Sequence, residues 1–194
     1  SDLTHFMASM TLELSKNSQL LRCSQDSLYR AMFACIQLGL EPGPLAHCYF
    51  VPRGANVEFH IGYKGLALLA SRSKAVSSVS AFCVYENDEF KYIAGTNPSI
   101  IHNPILNNRG QLSHVYAIID LPNGSKILQV MTREDVEKHR ECSPAKNFPS
   151  SPWKVWPEDM WKKTAVRKAL KLIPIDLRAK EDHRAVNSLI YQDV

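Results

Sequence analysis

Near the start of the chain apolar residues recur at three- and four-residue steps, Leu3, Phe6, Met7, Met10 and Leu14, which predicts an amphipathic helix. Because the chain opens in mid-helix, a trimmed N-terminus is expected. After Ser24, a residue able to cap orphan amides, Leu28, Met32, Cys35 and Ile36 predict a second helix that stops at Gly39 and turns this face to the core. From His47 the pattern changes. Cys48-Tyr-Phe-Val51 and Val57-Glu-Phe-His-Ile61 are rich in aromatic and β-branched residues around Arg53-Gly-Ala-Asn56, which predicts an antiparallel hairpin. A helix over Leu66–Ser73 and a strand over Val76–Val84 follow.

Tyr85 to Asn108 is polar and turn-rich. Beyond it, Val115–Ile119 and Ile127–Met131 flank Pro122-Asn-Gly124 and predict a second hairpin. Thr132-Arg-Glu-Asp135 then starts a short polar helix with a capping-box pattern. Cys142 to Pro152, with three prolines, is expected to be a mobile loop. A strong helix is predicted from Glu158 to Ile173, entered after Pro157 with carboxylates in its first turn and ended by Pro174. A last helical stretch is expected over Ala179–Tyr191. The chain is therefore expected to be α+β, with antiparallel hairpins packed against helices and helical segments at both ends.

Composition narrows the class. At 194 residues and 45% hydrophobic content the chain can bury a real core. Five scattered cysteines without a Cys-x-x-Cys pair indicate neither a disulfide framework nor a zinc knuckle and suit a reducing compartment. No apolar run approaches the ~20 residues of a membrane span, so a soluble, cytoplasmic protein is expected.

Charge adds the first chemical hint. The whole chain carries +4, and the stretch Trp153–Pro174 alone has six cations against Glu158 and Asp159. At about 100° per residue, Lys163, Arg167 and Lys171 share an arc of about 80°, while Trp161, Ala165, Val166, Ala169, Leu170, Leu172 and Ile173 take the remainder. Successive cations stand about 6 Å apart along the axis, a spacing that can follow the phosphates of an extended strand. The plainer alternative is a solvated face, but such faces ordinarily mix acids with bases, and no carboxylate follows Asp159 in this helix.

A second cationic patch is suggested by Arg53, by Gly62-Tyr63-Lys64-Gly65, and by Arg72 and Lys74. Its glycines admit two readings: close approach of a ligand, with Tyr63 stacking and Lys64 meeting a phosphate, or a strand-to-helix turn that needs small residues. Trp153 and Trp156 are likewise either packing anchors or stacking platforms, whereas Trp161 is assigned to the core. Catalytic signals are weak. The chain has no phosphate-binding Gly-x-x-x-x-Gly-Lys-Ser/Thr loop, and His47, His60, His102, His114, His139 and His183 lie far apart. Glu86, Asp88 and Glu89 form the one acidic cluster able to seed a two-metal nuclease, against the alternative of a solvated turn.

With these residues in view the chain resembles the RecT family of phage recombinases. The resemblance is carried in order by Leu38-Gly-Leu-Glu-Pro42, His47-Cys-Tyr-Phe-Val-Pro52, Ile61-Gly-Tyr-Lys-Gly-Leu66, Ala70-Ser-Arg-Ser73, Val84-Tyr-Glu-Asn-Asp-Glu-Phe90, Pro152-Trp153, Met160-Trp-Lys-Lys-Thr164 and Lys171-Leu-Ile-Pro174. It implies a protein that coats single-stranded DNA, forms rings or helical filaments and anneals complementary strands without ATP or another cofactor, beside a 5′ to 3′ exonuclease. By position it marks Lys64, Lys163, Thr164, Arg167 and Lys171 as DNA contacts, to which the residue-level reading adds Tyr63, Arg53, Arg72 and Trp153. Three segments are expected: a helical segment 1–45, a DNA-binding and annealing core 46–174, and a helical segment 175–194. The resemblance also implies a further C-terminal region that meets host single-strand-binding protein and exonuclease. The chain ends at Val194, so such docking is not expected of it. The alternatives kept open are a metal-dependent nuclease and a passive coat protein for single strands.

Overall fold

The computed structural model describes residues 3–72, 74–144, 146–149 and 151–173. The helix expected over 179–191 and the proposed segment 175–194 lie outside them. The chain divides into two compact units, Ser1–Leu69 and Ala70–Val194. The architecture is mixed α+β with antiparallel sheets throughout.

In the first unit, α1 (Leu3–Lys16) buries Phe6 and Met10, one turn apart, while Met7 is half exposed. A 3-10 turn over Ser18–Arg22 buries Leu20 and leads to α2 (Gln25–Gln37), capped by the Ser24 hydroxyl, which accepts from the Ser27 amide at 3.3 Å. The buried face of α2 is Ser27, Ala31 and Cys35, not the expected Leu28, Met32 and Ile36. Small residues at four-residue spacing let the helix lie close to the neighbouring hairpin, and the Ser27 hydroxyl accepts from the Val57 amide at 2.9 Å. As a consequence Tyr29, Phe33 and Ile36 form an exposed stripe on the far side of α2.

The hairpin pairs β1 (Cys48–Arg53) with β2 (Asn56–Ile61) in the register Cys48↔Ile61 to Arg53↔Asn56. Gly54 takes φ +57° in its two-residue turn, a conformation open to glycine at little cost. The next helix, α3 (Tyr63–Arg72), starts three residues before the expected Leu66, because the Leu66 amide already donates to the Gly62 carbonyl at 3.0 Å.

The second unit is built on a three-stranded sheet of order β3-β6-β7, from β3 (Ser78–Tyr85), β6 (Leu112–Asp120) and β7 (Lys126–Thr132). A separate two-stranded ladder joins β4 (Glu89–Ile93) to β5 (Ser99–Asn103), in a stretch where the sequence pattern predicts only turns. After β7 comes α4 (Arg133–Glu141), with both arms of its capping box formed between Thr132 and Asp135. Helix α5 (Pro152–Val155) is a single turn, and α6 (Pro157–Leu170) lies across the sheet. Val115, Ala117 and Ile119 of β6 are fully buried, as are Ala165, Val166 and Ala169 of α6, so small and branched residues bring helix and sheet together.

Candidate nucleic-acid interface

The rotation of α6 follows from its apolar positions. With Trp161, Ala165, Val166, Ala169 and Leu170 buried, Lys163, Arg167, Lys168 and Lys171 must lie toward the outer side; Lys168 and Lys171 are exposed, and Lys163 and Arg167 half-buried. The helix ends at Leu170, with Lys171 as its cap, so Leu172 escapes the expected apolar arc and is 57% exposed. Thr164 is half-buried and donates its hydroxyl proton to the Met160 carbonyl at 2.8 Å, so that proton is committed to its own helix.

The Glu158 carboxylate at the start of α6 faces other groups. Glu158 accepts from the Tyr85 hydroxyl at 2.5 Å and from Lys162 at 3.3 Å. The Tyr85 hydrogen bond, aided by Lys162, holds the Glu158 carboxyl below its ordinary range, so it stays an anion paired with Lys162. Lys162 itself is only 20% exposed. The two adjacent lysines therefore differ: Lys162 is tied along the packed side, Lys163 belongs to the outer stripe.

Helix α4 brings a histidine toward this surface, while its Lys138 and Arg140 are paired with Glu134 and Glu137. Its last turn carries Lys138, His139 and Arg140, as a helix dipole favours. His139 is exposed on one side, and partial loss of solvent together with the nearby Lys168, Lys171 and Arg167 pushes its imidazole below the ordinary histidine range, against the opposite effect of Asp135. That proximity joins two helices separated by a long loop, and no local pattern in the sequence points to it.

The tryptophans separate cleanly. Trp153 is buried, at 9% exposure, beneath the one-turn α5, whereas Trp156, just before α6, is 64% exposed. Trp153 thus packs, and the indole presented beside the basic helix is that of Trp156. Proline at 152 and at 157 starts each helix, and the alternation of buried and exposed indoles follows from the turn between them.

In the first unit, Tyr63 and Lys64 form the first turn of α3. Lys64 is exposed and Tyr63 half-buried. A cation at a helix start opposes the dipole, so local helix energetics do not account for Lys64. The flanking glycines are accounted for by packing. A Cβ on Gly62 would stand 2.6 Å from the Ala46 carbonyl oxygen, and one on Gly65 would strike the His47 carbonyl. Arg53 ends β1 and pairs through Nε with Glu58 at 3.3 Å, which also meets His60 at 3.0 Å. Arg72 is exposed in the last turn of α3, where the dipole favours a cation.

The acidic cluster is dispersed among protein partners. The Asp88 side chain is fully buried and accepts from Arg109 Nε at 3.0 Å, from the Tyr85 and Ile105 amides at 2.9 and 3.2 Å, and contacts His102 Nε2 at 3.2 Å. Its carboxyl is held far below the usual range by Arg109 first, then by the backbone donors and His102, against the opposing effect of burial. Glu86 pairs with Arg133 at 3.1 Å, and Glu89 accepts from Asn103 at 2.8 Å. The expectation of a solvated turn is corrected for Asp88, and the three carboxylates do not converge as a metal pair requires.

The match to known proteins covers nearly the whole chain. The family model of the RecT family matches residues 4–187. The chain belongs to the RecT family. It is 39% identical over 186 residues to Protein RecT of Escherichia coli (strain K12), an alignment that takes in 91% of this chain and 67% of that protein. Over 173 residues it is 27% identical to the Uncharacterized protein YqaK of Bacillus subtilis (strain 168), with 88% of this chain and 57% of that protein covered. The chain thus spans about two thirds of the first of these relatives and a little over half of the second. No helix among the described residues is long and apolar enough to cross a membrane.

Proposed function

We propose that the chain is the DNA-handling part of a single-strand annealing protein of homologous recombination, which binds single strands and pairs them without nucleotide hydrolysis. Family membership supports the annealing activity, and the observation that carries the binding mode is the outer stripe of α6. Lys163, Arg167 and Lys171 lie there at four-residue spacing, on a helix whose opposite face is locked to the sheet. A rigid helix with cations along one side neutralises backbone phosphates without reading bases. Lys64 on α3, Arg53, Arg72 and Tyr63 are the further contacts we assign, with Trp156 rather than Trp153 in the stacking role.

The exposed Tyr29, Phe33 and Ile36 stripe supports self-assembly into a ring or filament, since an aromatic face left to water favours a partner. A cytoplasmic, non-catalytic role beside a 5′ to 3′ exonuclease and host single-strand-binding protein completes the reading. A metal-dependent nuclease is disfavoured because Asp88 is saturated by internal donors.

The deciding experiment mixes complementary oligonucleotides, one strand carrying a fluorophore and the other a quencher, with no nucleotide present. Pairing faster than the spontaneous rate is expected, most of all when one strand meets the protein first. If no order of addition speeds pairing, while the strand is still bound, the chain is a passive coat. Shortening of a labelled strand with magnesium or manganese would instead establish a nuclease.

A further inference from the structure

A groove of about 350 Å³ runs between α2 and the outer edge of β2, walled by Ser27, Arg30 and Ala31 on the helix and Asn56, Val57 and Phe59 on the strand. It exists because α2 presents small residues there: Ser27 and Ala31 bring the helix close without filling the space beside Phe59. The parity of the β1–β2 ladder sets what the strand edge shows. The Gly62 amide donates to the His47 carbonyl at 2.9 Å, which assigns even-numbered residues of β2 to the pairing with β1 and turns the backbone of Val57 and Phe59 outward.

Each wall has a distinct chemistry. The Val57 amide is already held by the Ser27 hydroxyl at 2.9 Å. The Asn56 side-chain oxygen accepts from the Ser24 hydroxyl at 3.2 Å, which orients the amide and leaves its NH2 group as a donor. Phe59 is half-buried, with its ring centroid 6.1 Å from that of Phe50. Arg30 is bonded to Asp26, but both side chains are largely exposed, at 77% and 74%, so a pair of this kind contributes little and is exchangeable.

We propose that this groove is a subsite for one nucleotide of the bound single strand: Phe59 stacks on the base, the Asn56 amide donates to an acceptor on its edge, and Arg30 leaves Asp26 for the phosphate. The proposal rests on the single-strand-binding reading and adds a place where a base is held. An aromatic face with one amide donor is sequence-tolerant, because every base has a π-face and edge acceptors. An extended peptide adding to the β2 edge is the competing occupant. It fits less well, because pairing there would displace Ser27 from the Val57 amide.

The test uses the full chain and oligothymidine as the probe. Phe59→Ala and Phe59→Leu are expected to weaken binding about tenfold with an unchanged salt slope, as loss of one stacked base predicts. Arg30→Ala should lower the salt slope by about one, and Asp26→Asn should tighten binding by freeing the guanidinium. Phe59→Trp keeps an aromatic ring in place and should show fluorescence quenching on titration beyond that of the native chain, whose exposed Trp156 supplies the background, and this covers the case in which the smaller residues fail to fold. If the native chain binds oligothymidine but the Phe59→Trp variant is quenched no more than the native chain and the Phe59→Ala and Phe59→Leu variants bind like the parent, the groove is not a subsite. Quenching of the Phe59→Trp variant by a strand-forming peptide and not by oligothymidine also overturns the proposal, in favour of strand addition. If the native chain itself does not bind oligothymidine at low salt, the single-strand-binding reading fails and the subsite falls with it.

Discussion

Lys162 and Lys163 are neighbours in sequence, yet α6 turns them about 100° apart. Lys162 is bonded to Glu158 and only 20% exposed, whereas Lys163 shares the outer stripe with Arg167 and Lys171. Alanine at Lys163, Arg167 or Lys171 should therefore lower the slope of log K against log salt by roughly one each and weaken binding uniformly across sequences, with little change in melting temperature. Lys162→Ala should leave the slope near that of the native chain. Equal slopes for folded Lys162→Ala and Lys171→Ala variants would return α6 to a merely solvated face. This distinction is legible in the sequence because helical period alone fixes it. Trp153 and Trp156 are not separable in that way: both sit beside prolines, and only the one-turn α5 between Ser151 and Trp156 decides which indole is buried. The glycines around Tyr63 and Lys64 also have two readings in the sequence, settled by the backbone of residues 46 and 47 lying against them. Those carbonyls touch the glycines in the fold but are well separated from them in sequence, so no local pattern announces the contact.

The elements divide by how much of their stabilisation is local. The two hairpins β1–β2 and β6–β7, the capped α4 and the basic α6 each carry their own turn, cap or periodic signal, and each forms where the pattern predicts, with α6 ending early, at Leu170. The β4–β5 ladder lacks such a signal. Tyr92, Ile93 and Ile101 are substantially exposed, polar residues interrupt the strands, and an isolated two-stranded hairpin is marginal in water. What anchors it is nonlocal: Phe90 stacks on Tyr116 at 5.8 Å, His102 contacts the Tyr116 hydroxyl at 3.0 Å, and buried Asp88 ties His102, the Ile105 amide and Arg109 to the end of β3. Asp88→Asn preserves the shape but removes the charge Arg109 pairs with, and should cost about 2–3 kcal/mol, allowing for the partly exposed Arg109. Since the folded Asp88 carboxyl lies well below its unfolded value, its stabilisation is present at neutral pH and is lost as pH falls below about 4 through the folded value. The melting temperature of the native chain should accordingly fall toward that of Asp88→Asn on acidification. A gap that stays constant from neutral pH to about pH 2 would show that Asp88 acts through shape rather than charge.

At the scale of the molecule, a net charge of +4 is too small to define a nucleic-acid surface, and its placement matters more than its sum. The packing of α4 beside α6 sets His139 among Lys168, Lys171 and Arg167, where an additional proton is disfavoured until an anion arrives. A phosphate bound to the stripe reverses that balance. It screens the cations from His139 and stabilises the imidazolium, so binding should take up a proton and grow tighter as pH falls from about 8 toward 6. The same protonation opposes folding. A histidine whose folded value is depressed is charged more readily in the unfolded chain, so without DNA the protein loses stability as pH falls through the unfolded value of about 6.5 toward the folded one. DNA affinity and unliganded stability should therefore move in opposite directions with pH. Isothermal titrations in two buffers of different ionisation enthalpy would count the proton taken up, and His139→Asn should abolish that uptake while keeping most of the affinity at about pH 8. An uptake unchanged in His139→Asn would place the titrating group elsewhere, and no uptake in the native chain would mean that the strand does not pass over the junction of α4 and α6.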